Sequence, residues 1–332
     1  MRMLKFGISA SLLLSLLLVA LPVAAQFSSE ESPVSVILTP NYPRPYQTVL
    51  VSPRSSLIDL TSSTVVISAN GVVVQRGSGT QGASVTMGGP GEETKVVVSV
   101  TAPNGKVSTV TVPIRPADAA LVVEPDTTVH PFYKGLPLSA PEGLVRLVAI
   151  PDLRSSPTKP IDPKTLVYTW KLGDRTLLDA SGIGRSVLVA TAPPRYRDAD
   201  VTLLITSQDS SVVAEAKTTI SPRDPIVRIY PFDPLLGADY DHALTASYTL
   251  TSTEATLRAV PYFFASPPAI EWSVGGTLQG AQRDLTVRSS GNGKGNASLE
   301  VRTKLQGTTQ LASSRLTLRF GEGKSPLSIF GF

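Results

Sequence analysis

The sequence predicts an all-β fold of three tandem domains behind an N-terminal signal segment. Three observations predict it. Apolar and polar residues alternate in many short runs, as in half-buried strands. The 28 Pro and 25 Gly residues separate these runs at turn-like intervals. One strand-turn-strand pattern recurs at a spacing of about 100 residues, which indicates repeated domains rather than one large one.

Residues 1–25 have the pattern of a secretory signal peptide. A basic start with Arg2 and Lys5 precedes an apolar run from Phe6 to Ala25. Val23 and Ala25 are small enough for positions −3 and −1 of a cleavage site, so we expect the mature chain to start at Gln26. The run is also long enough to span a bilayer. The alternative is therefore an uncleaved anchor, and either form would be exported.

Charge and cysteine content exclude several classes of function. The chain has 30 Lys+Arg and 26 Asp+Glu residues, and two of the basic residues lie in the signal segment. The remaining charges are interspersed without a basic run, which argues against a nucleic-acid partner. The chain has no Cys. This excludes disulfides, thiolate metal sites, a cysteine nucleophile and a lipidated N-terminal cysteine.

The strongest pattern is a hairpin that occurs three times. LVYTWKLGD (166–174) and AIEWSVGG (269–276) alternate so that Trp170 and Trp272 lie on the apolar face. VVISANG (65–71) is a third copy, in which Ile67 replaces the tryptophan. Alternation with period two buries one face of a strand. The Gly-Asp, Gly-Gly and Asn-Gly pairs suit the tight turn that follows.

Further repeated parts define the predicted boundaries. LVAIP (147–151) and LRAVP (257–261) are strand ends that terminate at proline, and an alternating run closes each unit. The joints at 114–118 and 221–225 contain proline, so we expect semi-rigid connections. The prediction is a signal peptide at 1–25, immunoglobulin-like domains at 33–117, 118–222 and 223–320, and an apolar C-terminal tail at 321–332.

A core tryptophan on the third strand, a tight hairpin after it and about 100 residues per unit resemble tandem immunoglobulin-like or PKD-like domains of bacterial exported surface proteins. The Tyr-Pro-Phe, Ala-Ile-Pro and Tyr-x-Trp motifs are also similar to those of uncharacterised exported proteins of ultra-small bacteria. The resemblance implies a β-sandwich in each unit. Two departures are Ile67 in the first unit and the lack of the paired cysteines found in antibody domains.

Two aromatic motifs follow the predicted joints. HPFY (130–133) and YPFD (230–233) lie 100 residues apart, and each comes just after a predicted joint. We expect a structural motif used twice at matching fold positions. The alternative is an aromatic platform for a ligand.

The sequence lacks the signals of an enzyme. It contains only two histidines, His130 and His242, far apart in the chain. It has no Gly-x-Ser-x-Gly elbow and no His-Glu-x-x-His pair. GNGKGNAS (291–298) lacks the spacing of a phosphate-binding loop. We therefore predict a non-enzymatic protein with no catalytic residue and no cofactor.

Aspartates in two loops are the only candidate metal ligands. They are Asp198 and Asp200 in one loop, and Asp233, Asp239 and Asp241 in the other. Calcium takes six to eight oxygen ligands. Because neither loop supplies that many carboxylates at a defined spacing, we interpret them as solvated turn residues and predict no metal site.

These patterns predict a non-catalytic exported or cell-surface protein that acts as spacer, scaffold or adhesive surface. The alternative is a glycan or cell-wall polymer recognition module that uses Tyr133, Tyr240 or Phe263. Outward, coplanar rings would favour recognition, and buried rings would favour the scaffold.

The partner predicted from these patterns is an envelope protein or glycan, with no nucleic acid. A membrane is contacted only through an uncleaved signal segment. The residues predicted to contact a partner are Leu327, Ile329, Phe330 and Phe332. The alternative is that this tail packs back on the third domain.

Overall fold

The computed structural model describes residues 33–78, 81–289 and 294–321. The strands form three successive sandwiches, each with its own hydrophobic core. The predicted all-β fold of three tandem immunoglobulin-like domains is therefore confirmed. The signal segment and residues 322–332 lie outside the described ranges. The domain boundaries at 117/118 and 222/223 stay predictions.

Domain 1 is a sandwich of two antiparallel sheets. Its strands are β1 (Ser35–Thr39), β2 (Thr48–Arg54), β3 (Thr64–Ala69), β4 (Val72–Ser78), β5 (Ala83–Thr86), β6 (Thr94–Thr101) and β7 (Val107–Ile114). One sheet has the order β1-β2-β5 and the other β4-β3-β6-β7. Alternation drives the packing: Val49 and Val51 are fully buried, whereas Leu50 between them is 42% exposed.

Domain 2 repeats this topology with an added hairpin. Its strands are β8 (Asp118–Pro125), β9 (Leu144–Asp152), β10 (Arg154–Ser156), β11 (Lys159–Pro160), β12 (Val167–Leu172), β13 (Arg175–Thr176), β14 (Gly182–Ile183), β15 (Val187–Thr191), β16 (Ala199–Thr206) and β17 (Val213–Ile220). Short 3₁₀ helices span Pro163–Thr165 and Leu178–Ala180. The sheets have the orders β15-β9-β8 and β13-β12-β16-β17, and β14 pairs with β12. The β10–β11 hairpin stands apart from both sheets.

Domain 3 divides its N-terminal region between the two sheets. Its strands are β18 (Ile226–Asp233), β19 (Gly237–Ala238), β20 (Ser247–Thr249), β21 (Glu254–Tyr262), β22 (Ala269–Val274), β23 (Thr277–Gly280), β24 (Asp284–Arg288), β25 (Gly295–Lys304) and β26 (Leu311–Phe320). The sheets have the orders β19-β18-β21-β24 and β20-β26-β25-β22-β23. Strand β20 pairs parallel to β26, so the chain crosses from one sheet to the other between β19 and β20.

The repeated tryptophans occupy the predicted core position. Trp170 on β12 and Trp272 on β22 have no exposed surface, and Ile67 is equally buried on β3. Each indole N–H donates to a backbone carbonyl: Trp170 Nε1 to Arg185 O at 2.8 Å, and Trp272 Nε1 to Gln282 O at 2.9 Å. The indoles thus fill the core and also fix the segment that follows the hairpin.

The predicted turns have the backbone geometry that their residues favour. Asn70 and Gly71 join β3 to β4 with φ values of 49° and 84°, and Gly275 and Gly276 join β22 to β23 with 57° and 86°. Two successive positive φ angles characterise the tight hairpin turn whose twist matches the flanking strands. In the domain 2 hairpin, Gly173 supplies the positive φ of 56°.

Domains 1 and 2 contact each other beside the first joint. The Arg44 guanidinium of domain 1 lies 3.2 Å from the Asp118 carboxylate of domain 2. Within the joint itself, the Ala117 N–H donates to Pro43 O at 3.3 Å. Gly91 of domain 1 packs on the β10–β11 hairpin so closely that a Cβ atom there would lie 2.6 Å from Ser156 O. The added hairpin of domain 2 therefore packs against domain 1.

Candidate functional site at the junction of domains 2 and 3

The two aromatic motifs occupy different positions in their domains. HPFY lies in the long loop 126–143 between β8 and β9, whereas YPFD is the end of strand β18. The prediction of one motif at matching fold positions is therefore wrong. The reason is that the two strands end at different places relative to the motifs. Strand β8 ends at Pro125, before HPFY, whereas β18 contains YPFD and pairs its Pro231 with Leu257 of β21. The structure instead brings the two motifs together at the junction of domains 2 and 3.

Loop 126–143 pairs with domain 3 through its backbone. The Thr128 N–H donates to Phe264 O at 2.8 Å, and the Phe263 N–H donates to Thr128 O at 2.7 Å. The Phe264 N–H also donates to Thr128 Oγ1 at 3.2 Å. These bonds hold the start of the loop against the segment that follows β21, as in a short pair of strands. The loop thus connects the two domains as well as β8 and β9.

An aromatic cluster fills the junction behind this pairing. The His130 ring stacks on Tyr240 with centroids 4.2 Å apart and an interplanar angle of 4°. Tyr133 makes edge contacts with Tyr262 at 5.9 Å and with Phe263 at 5.8 Å. The hydroxyls of Tyr230 and Tyr262 lie 2.7 Å apart in the buried part of the cluster. Each of these ring pairs is worth about 0.5–1.5 kcal/mol beyond area burial.

Burial sets the ionisation of two rings in the cluster. Burial, followed by the hydrogen bond to Tyr230, raises the pKa of Tyr262 far above its ordinary value. Burial lowers the pKa of His130 below its ordinary 6.5. His130 Nδ1 accepts a hydrogen bond from the Phe132 N–H at 3.1 Å. This acceptor role requires an unprotonated Nδ1 and agrees with a neutral imidazole.

A buried glutamine connects the domains on another side of the junction. Gln310 has no exposed surface. Its Nε2 donates to Pro141 O of domain 2 at 2.7 Å, and its Oε1 accepts from the Ala265 N–H at 2.9 Å. Nearby, Arg195 Nε of domain 2 lies 2.8 Å from Asp224 Oδ1 in the second joint. The connection between domains 2 and 3 is therefore a packed interface in addition to a linker.

A surface depression opens beside the aromatic cluster. It has a volume of about 480 Å³ and is lined from domain 2 by His130, Phe132 and Lys134, and from domain 3 by Ala238, Asp239, Tyr240 and Asp241. Phe132 is 72% exposed, and its ring centroid lies 6.0 Å from that of Tyr240. The depression therefore combines apolar ring surface with charged groups from two domains.

Neighbouring groups fix the rings that line the depression. Tyr240 is stacked on His130 and makes an edge contact with Tyr230 at 5.5 Å. The Arg258 guanidinium forms two bonds to Asp284, at 2.6 and 2.7 Å, and lies 3.6 Å from the Phe232 ring centroid. The pKa of Arg258 is raised above its ordinary value, mainly by the hydrogen bonds to Asp284 and to a smaller extent by the Tyr240 hydroxyl. Tyr240 is thus held on both a face and an edge.

Of the predicted site residues, the structure describes the three aromatic rings but not the C-terminal tail. Phe263 is 6% exposed, and Tyr133 and Tyr240 are half-buried rings that meet their neighbours edge-on or stacked. They do not form the outward, coplanar row that would favour recognition by these three rings. The exposed ring at this junction is that of Phe132, which is not among the site residues predicted from the sequence. The HPFY motif that contains it is the sequence signal that could have identified it. The predicted contact residues Leu327, Ile329, Phe330 and Phe332 lie outside the described residues.

Two of the five aspartates considered as calcium ligands fix turns, whereas Asp200 lies in strand β16 rather than in a turn. Asp233 Oδ1 accepts from the N–H groups of Leu235 and Leu236, and Asp239 Oδ2 lies 2.8 Å from His242 Nδ1. Among the described residues, no three or more acidic or histidine side chains are placed to hold a metal ion. None of the helices within the described ranges is long and apolar enough to cross a membrane.

Comparison with known proteins adds a likeness in structure only. No protein-family model matches the chain, and no curated protein matches it significantly. The chain is similar to the fibronectin(III)-like modules of CbhA from Clostridium thermocellum, with 9% identity, a TM-score of 0.26, and coverage of 57% of this chain and 94% of that one. It is also similar to the central fibronectin-III array of RIM-binding protein, with 10% identity, a TM-score of 0.28, and coverage of 86% and 96%.

A further similar structure contains Sidekick-1 immunoglobulin domains 1–5, with 11% identity, a TM-score of 0.28, and coverage of 86% of this chain and 58% of that one. At such identities and TM-scores these matches bear on neither function nor partner. The resemblance to exported proteins of ultra-small bacteria stays a prediction. The assignment of three immunoglobulin-like domains rests on the strand topology described above.

Proposed function

We propose that the protein is a non-catalytic exported protein that acts as a rigid spacer or scaffold and offers its surface to partners outside the cell. The observation that carries this proposal is the packed junction of domains 2 and 3. Domains in one chain usually move relative to each other unless their interface is large and apolar. Here backbone pairing, a buried glutamine and an aromatic cluster all cross the junction. Such a junction suits a protein that must hold a fixed length or orientation.

Export is the part of this proposal that can be tested directly. We expect the protein in the fraction outside the cytoplasmic membrane, with an N-terminus at Gln26. Fractionation followed by N-terminal sequencing measures both. An intact Met1 in the membrane fraction would make it a tethered protein, and recovery from the cytoplasm alone would contradict export. A hydrolase activity that disappears on changing one carboxylate would contradict the non-catalytic role.

The proposed partner is a protein or glycan of the cell envelope, contacted through Leu327, Ile329, Phe330 and Phe332. The described chain reaches Gly321 just after Phe320, which lines an apolar cleft of about 260 Å³ in domain 3 together with Leu285, Val287 and Leu318. This cleft supplies the competing explanation, because the same apolar residues could fill it instead of contacting a partner.

Deleting residues 322–332 separates these explanations. If the segment contacts a partner, the truncated protein keeps its melting temperature and loses retention on isolated envelopes. If the segment fills the cleft, domain 3 loses thermal stability because its apolar lining is exposed. Leu278→Ala is a suitable control, since Leu278 is 67% exposed on the edge strand β23 and should alter neither result. Retention that survives the deletion would contradict the proposed contact.

A further inference from the structure

We propose that the depression between Phe132 and Tyr240 is a binding site for an uncharged saccharide. This inference rests on the proposed role in surface contact and names a ligand class for one part of that surface. The site is composite, because loop 126–143 of domain 2 and the segment after β18 in domain 3 both line it. Ligand sites occur preferentially at such domain interfaces.

The aromatic rings provide the first half of the recognition. The C–H faces of a pyranose ring pack on aromatic rings, and Phe132 is 72% exposed beside Tyr240. Phe263 and Phe264 of the same junction are buried in the protein core, whereas the exposed Phe132 ring is free to contact a ligand. Tyr240 is held by its ring contacts with His130 and Tyr230, so little side-chain freedom would be lost on binding.

The polar groups around the rings provide the second half. The carboxylates of Asp239 and Asp241 can accept hydrogen bonds from sugar hydroxyls, and the Lys134 ammonium can donate to them. Asp239 is already oriented, because its Oδ1 accepts from the Asp241 N–H at 3.2 Å and its Oδ2 lies 2.8 Å from His242 Nδ1. A few fixed polar groups around an apolar surface are the usual composition of a small-molecule site.

The charges of the depression favour an uncharged ligand over an anionic one. Asp239 and Asp241 face it with two negative charges against the single positive charge of Lys134. His130 contributes no positive charge, because its Nδ1 is the acceptor for the Phe132 N–H. A phosphate or a uronic acid would therefore meet repulsion at the site. Hydroxyl groups carry no such penalty.

Isothermal titration of the purified protein with cellotetraose and with chitotetraose tests the site. The first probe offers only hydroxyls, and the second adds N-acetyl groups, so the two distinguish plain glucans from amino-sugar polymers. We expect saturable binding of at least one probe. Phe132→Ala should weaken it about tenfold, because the ring face is lost. Asp241→Asn should weaken it severalfold, because a charged acceptor becomes neutral.

Matched controls keep the result interpretable. Tyr196→Ala removes another exposed aromatic of domain 2, 86% exposed and remote in sequence from loop 126–143, and should leave binding unchanged. Circular dichroism should show both site variants folded, since Phe132 and Asp241 are exposed. Absence of binding by both probes, or binding that Phe132→Ala and Asp241→Asn leave intact, overturns the proposal. Neither of these outcomes affects the packed junction or the export test.

Discussion

At the scale of single residues, each of the two tryptophans both fills the core of its domain and forms a hydrogen bond to the backbone. Trp170 and Trp272 are fully buried, and each donates its indole N–H to a backbone carbonyl beyond its hairpin. Ile67 fills the same place in domain 1 with an aliphatic side chain, which has no donor. Domain 1 therefore obtains from packing alone what the other two domains obtain from packing and a hydrogen bond.

Truncating Trp170 tests the worth of this position. Trp170→Ala should destabilise domain 2 by about 3–5 kcal/mol through the cavity it leaves, a large part of the ~5–15 kcal/mol that a domain possesses. Trp170→Phe keeps an aromatic ring and loses the donor to Arg185 O, so its cost should be smaller, about 1–3 kcal/mol. Denaturant unfolding measures both, with Tyr196→Ala as the exposed control. Equal stability of Trp170→Ala and the control would show that the indole is not a core residue.

At the scale of elements, strands and turns follow from the sequence, but loop 126–143 does not. The alternation around Trp170 and the Asn70-Gly71 pair are local patterns, and local patterns determine strands and hairpin turns. The role of HPFY depends instead on where β8 ends, and on Phe264 more than 100 residues later. Nothing near His130 in the sequence specifies that partner. This is why the motif was recognised but its position was wrong.

The stack of His130 on Tyr240 should make the attachment of this loop sensitive to pH. Burial holds the pKa of His130 below its ordinary 6.5, so the folded protein binds fewer protons there than the unfolded chain. The resulting stability is complete above about pH 6.5 and is lost as the pH falls through the lower, folded pKa. Protonation of Nδ1 would also remove the acceptor for the Phe132 N–H.

Comparison of wild type with His130→Asn across pH 7.5 to 5 measures this effect by thermal unfolding. The asparagine keeps an acceptor but cannot titrate, so the wild type should lose more stability on acidification than the variant. Lys134, Asp239, Tyr133 and Tyr262 also lie near the ring and remain in both proteins. His242→Asn is the control, because His242 is 78% exposed. Parallel pH profiles for wild type and His130→Asn would contradict the prediction.

At the scale of the whole molecule, the domains are joined by contacts as well as by linkers. The sequence predicted semi-rigid joints from proline, and the three-domain organisation followed from the repeated hairpins. The contact of Gln310 with Pro141 could not be predicted, because the two residues are 169 positions apart and neither belongs to a repeated motif. The repeated motifs identify the structure that the domains have in common, whereas the junction is formed by residues that differ between the domains.

Removal of the Gln310 side chain should uncouple domains 2 and 3. Gln310→Ala leaves the buried Pro141 O without its partner, at a cost of about 1–3 kcal/mol, and also removes the partner of the half-buried Ala265 N–H. We expect the two domains to unfold together in the wild type and in separate, earlier steps in the variant, as measured by differential scanning calorimetry. Gln279→Ala, on the exposed face of β23, should behave as the wild type. A calorimetric profile unchanged by Gln310→Ala would show that the glutamine does not couple the domains.

The same glutamine has a consequence for how the chain matures. A ribosome or an export channel releases the chain from its N-terminal end, and domains generally fold in that order. Pro141 and Thr128 of domain 2 are therefore folded before their hydrogen-bond partners in domain 3, Gln310 and Phe264, have been released. The loops of domain 3 can then fold directly against the existing surface of domain 2. A pause in translation or translocation after domain 2 would leave the Pro141 carbonyl and the loop around His130 without their partners. At that stage the junction is incomplete, and the chain would depend most on a chaperone.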